Sequence, residues 1–340
     1  MEYLLMISVL VSFLIVVTLM PLWIRKAKLM GLMGKDINKR SKPEVAEGGG
    51  VVVLTGFIIG VLIYVAIRTF VFGQTGDANL EIFVLISSIL IVGFIGIVDS
   101  LLAASSNSSE SHNVEGWRKG IGSKYRVLLC VFAAIPLMVI NAGTSLMNVP
   151  FFGIVNFGIL YPLLIIPFAV AGVSTTYNFL AGYNGLEAGQ GILIIGFLSF
   201  VAYVKGSPWL AIVGLCMVAA LVGFYLFNKV PAKVFPSDVL TYPIGALIAI
   251  MAILGNFEKI ALVVFIPYFI EMGLKLRGGL KKQSFGKPRK DGTLKMPYDK
   301  IYGLEHLAIK VLGKGATERK VTYLIHAFQI LFILLAFLML

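Results

Sequence analysis

The sequence predicts an all-α, polytopic membrane protein with ten transmembrane helices and both termini outside, folded as a single domain over residues 1–340. Three observations carry this prediction. Apolar residues make up 58% of the chain and charged residues only 14%, whereas a soluble domain carries about 25% charged residues. The apolar residues fall in continuous runs near the length of about 18 residues that a membrane helix needs. A barrel strand would instead alternate over about ten residues. Finally, 26 of the 29 basic residues fall in loops that share one side when ten crossings are drawn, and the positive-inside rule makes that side the cytoplasm.

The runs cover residues 3–24, 50–71, 81–102, 125–141, 159–177, 190–204, 207–227, 239–255, 259–275 and 321–340. The first is read as a span and not a cleavable leader, because Arg25, Lys26 and Lys28 follow it instead of preceding it. Cys130 and Cys216 lie inside runs and read as packing residues; the three histidines are scattered and suggest no His/Cys metal site. A net charge of +12 could indicate nucleic acid, but its one-sided placement in loops fits topology better, so no nucleic acid partner is expected. Residues 103–117 form a polar, low-complexity insert expected to be mobile. The last cytoplasmic loop, 276–320, carries a hairpin signal at Asp291-Gly292. Beyond it, Leu304, Leu307, Ala308, Val311 and Leu312 recur at helical spacing, with Glu305, His306 and Lys310 off that face. This is an amphipathic helix, either lying on the membrane surface or packed on the bundle.

Four polar clusters stand where runs meet the cytoplasmic side. Asp99 ends the third run, a costly place for a carboxylate unless it is solvated, partnered or functional. Residues 177–190 interrupt the apolar pattern with Asn178, Asn184, Glu187 and three glycines before Gln190. Amide oxygens and carboxylates suit magnesium, although a capped turn would use the same residues. Asp238 follows a loop stiffened by Pro231 and Pro236, and could be a helix cap alone. Lys281, Lys282, Lys287, Arg289 and Lys290 could bind phosphate or lipid headgroups, or only set topology. Taken together, hard oxygen ligands flanked by basic residues beside a lipid phase are the parts of metal-assisted phosphoryl transfer. An active site on the cytoplasmic face is therefore expected.

The block Ala181-Gly182-Tyr183-Asn184-Gly185-Leu186-Glu187-Ala188-Gly189-Gln190, together with Pro231-Ala232-Lys233-Val234-Phe235-Pro236-Ser237-Asp238, resembles the polyprenyl-phosphate N-acetylhexosamine-1-phosphate transferases. The resemblance runs over essentially the whole chain and is nearest the UDP-GlcNAc:dolichyl-phosphate branch. Asp36-Ile37-Asn38-Lys39 and Gly48–Gly50 are weaker matches, and Lys287-Pro288-Arg289 resembles the branch's substrate loop. Two positions depart: Ser100 follows Asp99 where the family has a second aspartate, and Phe285 stands where a histidine opens the substrate loop. The resemblance implies a multi-pass enzyme of the cell membrane or endoplasmic reticulum membrane. It would act on UDP-GlcNAc and dolichyl or another polyprenyl phosphate, with Mg2+, or Mn2+ in its place. Asn184 and Asp238 would hold the metal. Asp99 would position metal or acceptor phosphate, Lys124, Lys287 and Arg289 would bind phosphates, and Asn178 and Glu187 would hold the nucleotide sugar. A homodimer is left open. The alternatives are another UDP-N-acetylhexosamine, a lipid transporter or flippase, or a non-catalytic homologue; no internal repeat supports a transporter.

Overall fold

The computed structural model describes residues 2–74, 76, 78–105, 121–149 and 153–340; most of the polar insert at 103–117 lies outside them. In chain order the elements are α1 (Glu2–Leu29), β1 (Met33–Lys35), β2 (Glu44–Ala46), α2 (Gly50–Ala66), α3 (Ala78–Ser105), α4 (Ser123–Phe132) and α5 (Ile135–Val139). Then come β3 (Leu146–Val149), β4 (Gly153–Asn156), α6 (Ile166–Tyr177), α7 (Leu186–Val204), α8 (Pro208–Asn228) and α9 (Asp238–Leu254). The chain ends with α10 (Glu258–Val264), α11 (Ile266–Arg277), β5 (Lys287–Pro288), β6 (Leu294–Lys295), α12 (Leu304–Leu312) and α13 (Glu318–Phe337). Single π-turns extend α2 (Ile67–Val71) and precede α6 (Tyr161–Ile165).

Six helices among the described residues are long and apolar enough to cross a membrane: α1, α2 with its π-turn, α3, α7, α8 and α13. Tyr125–Val139, Tyr161–Tyr177 and Asp238–Leu254 are shorter apolar helical stretches. The run at 259–275 is helical but broken at Phe265, where Pro267 opens α11 and can donate no backbone bond to the preceding turn. The chain is an integral membrane protein. Large apolar side chains such as Phe168 (79% exposed) and Phe94 (66% exposed) stand outward, as a lipid-facing surface requires.

Helix α9 is apolar all round, and every residue from Val239 to Leu254 is buried. Such a helix belongs inside a bundle; α3 and α6 pack on it. The crossings are made close by small residues. A Cβ on Gly96 would lie 2.7 Å from the Val239 Cα, and one on Gly245 would lie 2.6 Å from the Ser174 Cα. Both crossings sit within about one turn of a polar residue of interest: Asp99 follows Gly96, and Asn178 follows Ser174. The packing thus brings three separate polar signals to the head of α9. Gly96→Leu is expected to wedge α3 from α9, because the clash is with backbone. Overpacking costs about 1–3 kcal/mol, and a displacement of about 1 Å at a reacting centre costs about a hundredfold in rate. Thermal unfolding in detergent and turnover of the purified variant check both.

The head of α9 is fixed from a second direction. Ala46, at the end of β2, bridges Val234, and the Phe235 N–H donates to the Ala46 carbonyl at 2.7 Å. The N–H groups of Gly49 and Gly50 donate to the carbonyls of Phe235 (3.0 Å) and Pro236 (3.2 Å), and the Gly48 N–H donates to Ser237 Oγ at 2.9 Å. The loop between α1 and α2 is thus zipped to the loop that presents Asp238.

The hairpin signal at Asp291-Gly292 is realised as β5 paired with β6. A second hairpin, β3 with β4, was not legible in the sequence. Helix α12 forms where expected but is turned differently. Glu305 and His306 are buried with Leu304, Ala308 and Ile309, whereas Leu307 (39%) and Val311 (67%) are exposed. His306 takes a hydrogen bond from the nearby Tyr302 N–H, and the Lys275 ammonium acts electrostatically on Glu305. The helix packs on α13.

Candidate active site

Asp99, Asp238 and Asn178 come together. Arg126 Nη1 donates to Asp238 Oδ2 at 2.7 Å and lies 3.5 Å from Asp99 Oδ2, so one guanidinium spans carboxylates from α3 and α9. Asn178 Nδ2 donates to Asp238 Oδ1 at 3.1 Å, and Thr241 Oγ1 donates to Asn178 Oδ1 at 3.0 Å. The Ile121 N–H, on the approach to α4, donates to Asp99 Oδ1 at 2.5 Å. Two like charges this close need an opposite one, and Arg126 supplies it. Lys124 lies on α4 two residues earlier; its side chain is outside the described residues.

The second group is the turn between α6 and α7. Gly182 (φ 102°) and Gly185 (φ 82°) adopt the left-handed backbone that side-chain-bearing residues avoid, and this folds the turn back on itself. Glu187 Oε1 accepts the Gly182 N–H at 2.9 Å, and Asn38 Nδ2 donates to the Gly182 carbonyl at 2.8 Å. Asn228 Oδ1 accepts the Gly185 N–H at 3.1 Å while its Nδ2 holds the Val234 carbonyl at 2.8 Å. Asn184 is buried; its Nδ2 donates to Asp36 Oδ2 at 2.9 Å and its backbone N–H donates to Glu318 Oε1 at 2.9 Å. Lys39 pairs with Glu318 and lies 3.8 Å from Asp36. Burial lowers the Lys39 ammonium below its ordinary value, an effect the Asp36 carboxylate partly offsets.

The expected metal pair of Asn184 and Asp238 is therefore divided. Asn178, at the end of α6, is the amide that touches Asp238; Asn184 lies beyond the reversal at Gly182 and turns to Asp36. Glu187 likewise ties the turn to itself.

The last loop is docked against this turn. Tyr183 Oη accepts the Gly286 N–H at 3.1 Å and donates to the Ser284 carbonyl at 3.4 Å, and the Phe285 ring covers Gly182. Phe285 thus packs where a ring can rest on bare backbone. Lys287 is exposed and Arg289 half-buried on the hairpin that follows. The loop's other end is anchored inside the protein. Glu271 Oε2 accepts the Leu304 N–H at 2.6 Å, Lys275 Nζ lies 3.3 Å from Glu271 Oε1, and Lys275 also donates to Ser284 Oγ. His306 Nδ1 accepts the Tyr302 N–H at 3.2 Å, as a neutral imidazole can; burial, with Lys275 adding to it, pushes this imidazole down to about 4. Glu271→Ala would remove the carboxylate that the buried Lys275 charge and the Leu304 N–H share. Breaking such a pair costs about 3–5 kcal/mol. We expect a lower Tm in detergent and faster proteolysis of the 278–303 segment.

The donor set fits a divalent cation. Asp99 and Asp238 converge on one positive group, with an amide on the second Asp238 oxygen. Among the described residues no cluster of three or more His, Cys, Asp or Glu could hold a metal by itself. Mg2+ takes one or two carboxylates from protein and completes its shell with water and substrate phosphates, and Asp99, Asp238 and Asn178 are residues that could hold it. Sequence reading missed Arg126, Thr241, Lys39 and Glu318 as site residues. Arg126 registered only as a topology-setting charge.

The fold and site define a polytopic membrane protein with a carboxylate-amide centre where its helices meet one charged face. The model of glycosyl transferase family 4 matches residues 82–256. A Saccharolobus solfataricus protein named as a UDP-N-acetylglucosamine–dolichyl-phosphate N-acetylglucosaminephosphotransferase is 34% identical, over 90% of this chain and 88% of its own. A Sulfolobus acidocaldarius protein of the same name is 32% identical, over 97% and 94%. A phospho-N-acetylmuramoyl-pentapeptide-transferase of Streptococcus thermophilus is 27% identical, over 76% and 75%. The chain belongs to glycosyl transferase family 4, and the matched segment contains Asp99, Arg126, Asn178 and Asp238.

Proposed function

We propose that this protein transfers GlcNAc-1-phosphate from UDP-GlcNAc to dolichyl or another polyprenyl phosphate. The products are lipid-diphosphate-GlcNAc and UMP, the first lipid-linked step of N-glycan assembly. The observation that carries the reading is the junction of Asp99, Asp238 and Asn178 at the end of an apolar bundle, in a chain with two archaeal relatives that bear that activity in their names. The chain crosses the bilayer ten times in this reading, with both termini outside and the site on the cytoplasmic face. The remaining runs are helical, and the basic residues crowd that side.

The acceptor is a phosphate monoester with a second pKa of about 6, so its oxygen is largely anionic at neutral pH. No protein base is required, which makes Ser100 beside Asp99 chemically acceptable. An acceptor oxygen forms a bond to the β-phosphorus; the bond from that phosphorus to the bridging oxygen breaks, and its electron pair leaves on UMP. The anomeric C–O bond stays intact, so sugar configuration is retained. Asp238, Asn178 and Asp99 would hold Mg2+, which when bound supplies neutralisation of charge on the transferring phosphoryl group. Lys124, Lys287 and Arg289 would bind phosphates, and the turn carrying Asn184 and Glu187 would hold the nucleotide. What these side chains do is align and neutralise.

The test uses purified protein in detergent with lipid, dolichyl phosphate, Mg2+ and UDP-GlcNAc. UMP release together with a labelled glycolipid that requires the acceptor is the expected result. Failure of every UDP-sugar to react, in protein that stays folded, would overturn the reading.

A further inference from the structure

The carboxylates of Asp99 and Asp238 already share a cation, and it is part of the chain. We propose that Arg126 is a resident counter-ion of this site. It holds the two carboxylates together, competes with an incoming divalent cation for Asp238, and once displaced turns its charge to the phosphate of the lipid acceptor. This rests on the divalent-cation reading above and adds to it a residue with a defined task.

The geometry supports competition. The guanidinium nitrogen nearest Asp238 is 2.7 Å from Oδ2 and 3.5 Å from Asp99 Oδ2. A cation bound by both carboxylates would have to take the place of this nitrogen. The other Asp238 oxygen is also engaged, by the nitrogen side of the Asn178 amide at 3.1 Å. An amide can ligate a metal only through its oxygen, and that oxygen now accepts from Thr241 Oγ1 at 3.0 Å. A half-turn of the amide would point Oδ1 at the Asp238 side and Nδ2 at Thr241. The hydroxyl can accept as readily as donate, so the Asn178–Thr241 bond survives the exchange with its direction reversed. The arrangement therefore has two forms: one with the Arg126 guanidinium and the amide nitrogen on Asp238, the other with Asp238 and the amide oxygen open to a metal.

The displaced guanidinium has somewhere to go. The Arg126 side chain is 23% exposed, so the site opens to solvent beside it, and it starts from the first turn of α4. Guanidinium matches phosphate oxygens in a two-pronged geometry that ammonium cannot reproduce. The charge that shields the carboxylates at rest would then meet the acceptor.

The experiment measures Mn2+ binding to wild type, Arg126→Gln and Arg126→Lys in detergent without substrates, from the loss of the free Mn2+ electron paramagnetic resonance signal. Removing a competing charge a few ångströms away is expected to tighten Mn2+ binding about tenfold in Arg126→Gln, with Arg126→Lys between it and wild type. In turnover assays the KM for lipid phosphate is expected to rise in Arg126→Gln. Equal or weaker Mn2+ binding by Arg126→Gln would overturn the inference and leave the cation site standing. No Mn2+ binding by wild type or variant would overturn both. Should Arg126→Gln not yield monodisperse protein, Arg126→Lys decides: tighter binding than wild type supports the inference, and equal binding overturns it.

Discussion

Asp238→Ala is expected to lower kcat by about a thousandfold, with the protein still folded. Removing one preorganised electrostatic partner of a reacting group costs about 100- to 1,000-fold. Asp238 stands at the upper end because it is joined to both Arg126 and Asn178, so its loss also releases their orientation. The comparison that gives this result meaning is between the two asparagines. Asn178→Ala removes the amide beside Asp238 and is expected to act mainly on kcat. Asn184→Ala removes a side chain held by Asp36 in the neighbouring turn and is expected to raise the KM for UDP-GlcNAc with a smaller change in kcat. Near-normal turnover of Asp238→Ala in monodisperse protein would sink the metal assignment. If Asn184→Ala lost kcat while Asn178→Ala did not, the roles given to the two amides would be reversed.

Removal of divalent cations with EDTA is expected to stop turnover below detection, and added Mg2+ to restore it. With one guanidinium against two carboxylates, the junction of Asp99, Asp238 and Arg126 carries more negative than positive charge before a substrate with a diphosphate arrives. Without a further cation, donor and acceptor phosphates would meet a repulsive site. Mn2+ should restore activity as well, since both ions accept hard oxygen ligands. Full turnover in EDTA would show that Arg126 and the lysines neutralise the phosphates alone.

The helical architecture and the polar clusters were legible in the sequence because continuous apolar runs and their interruptions are local signals. Asp99, Asn178 and Asp238 stood out for that reason. Which amide meets which carboxylate was not legible. That depends on where α3 and α6 cross α9, at Gly96 and Gly245, and on the backbone reversal at Gly182. The role of Arg126 was hidden because a basic residue at the start of a span has a sufficient explanation in topology. For α12, periodicity revealed the helix but not its rotation. Glu305 and His306 face inward because the polar anchor of Glu271, Lys275 and Ser284 lies on that side, a fact held by residues far away in sequence.

Glu318, the first residue of α13, binds both the Asn184 N–H and Lys39. Helix α13 thus fastens the loop between α1 and α2 to the turn that carries Asn184. Assembly of that turn therefore waits on a helix far along the chain, so a tag that pulls α13 out of register should leave the turn unfastened.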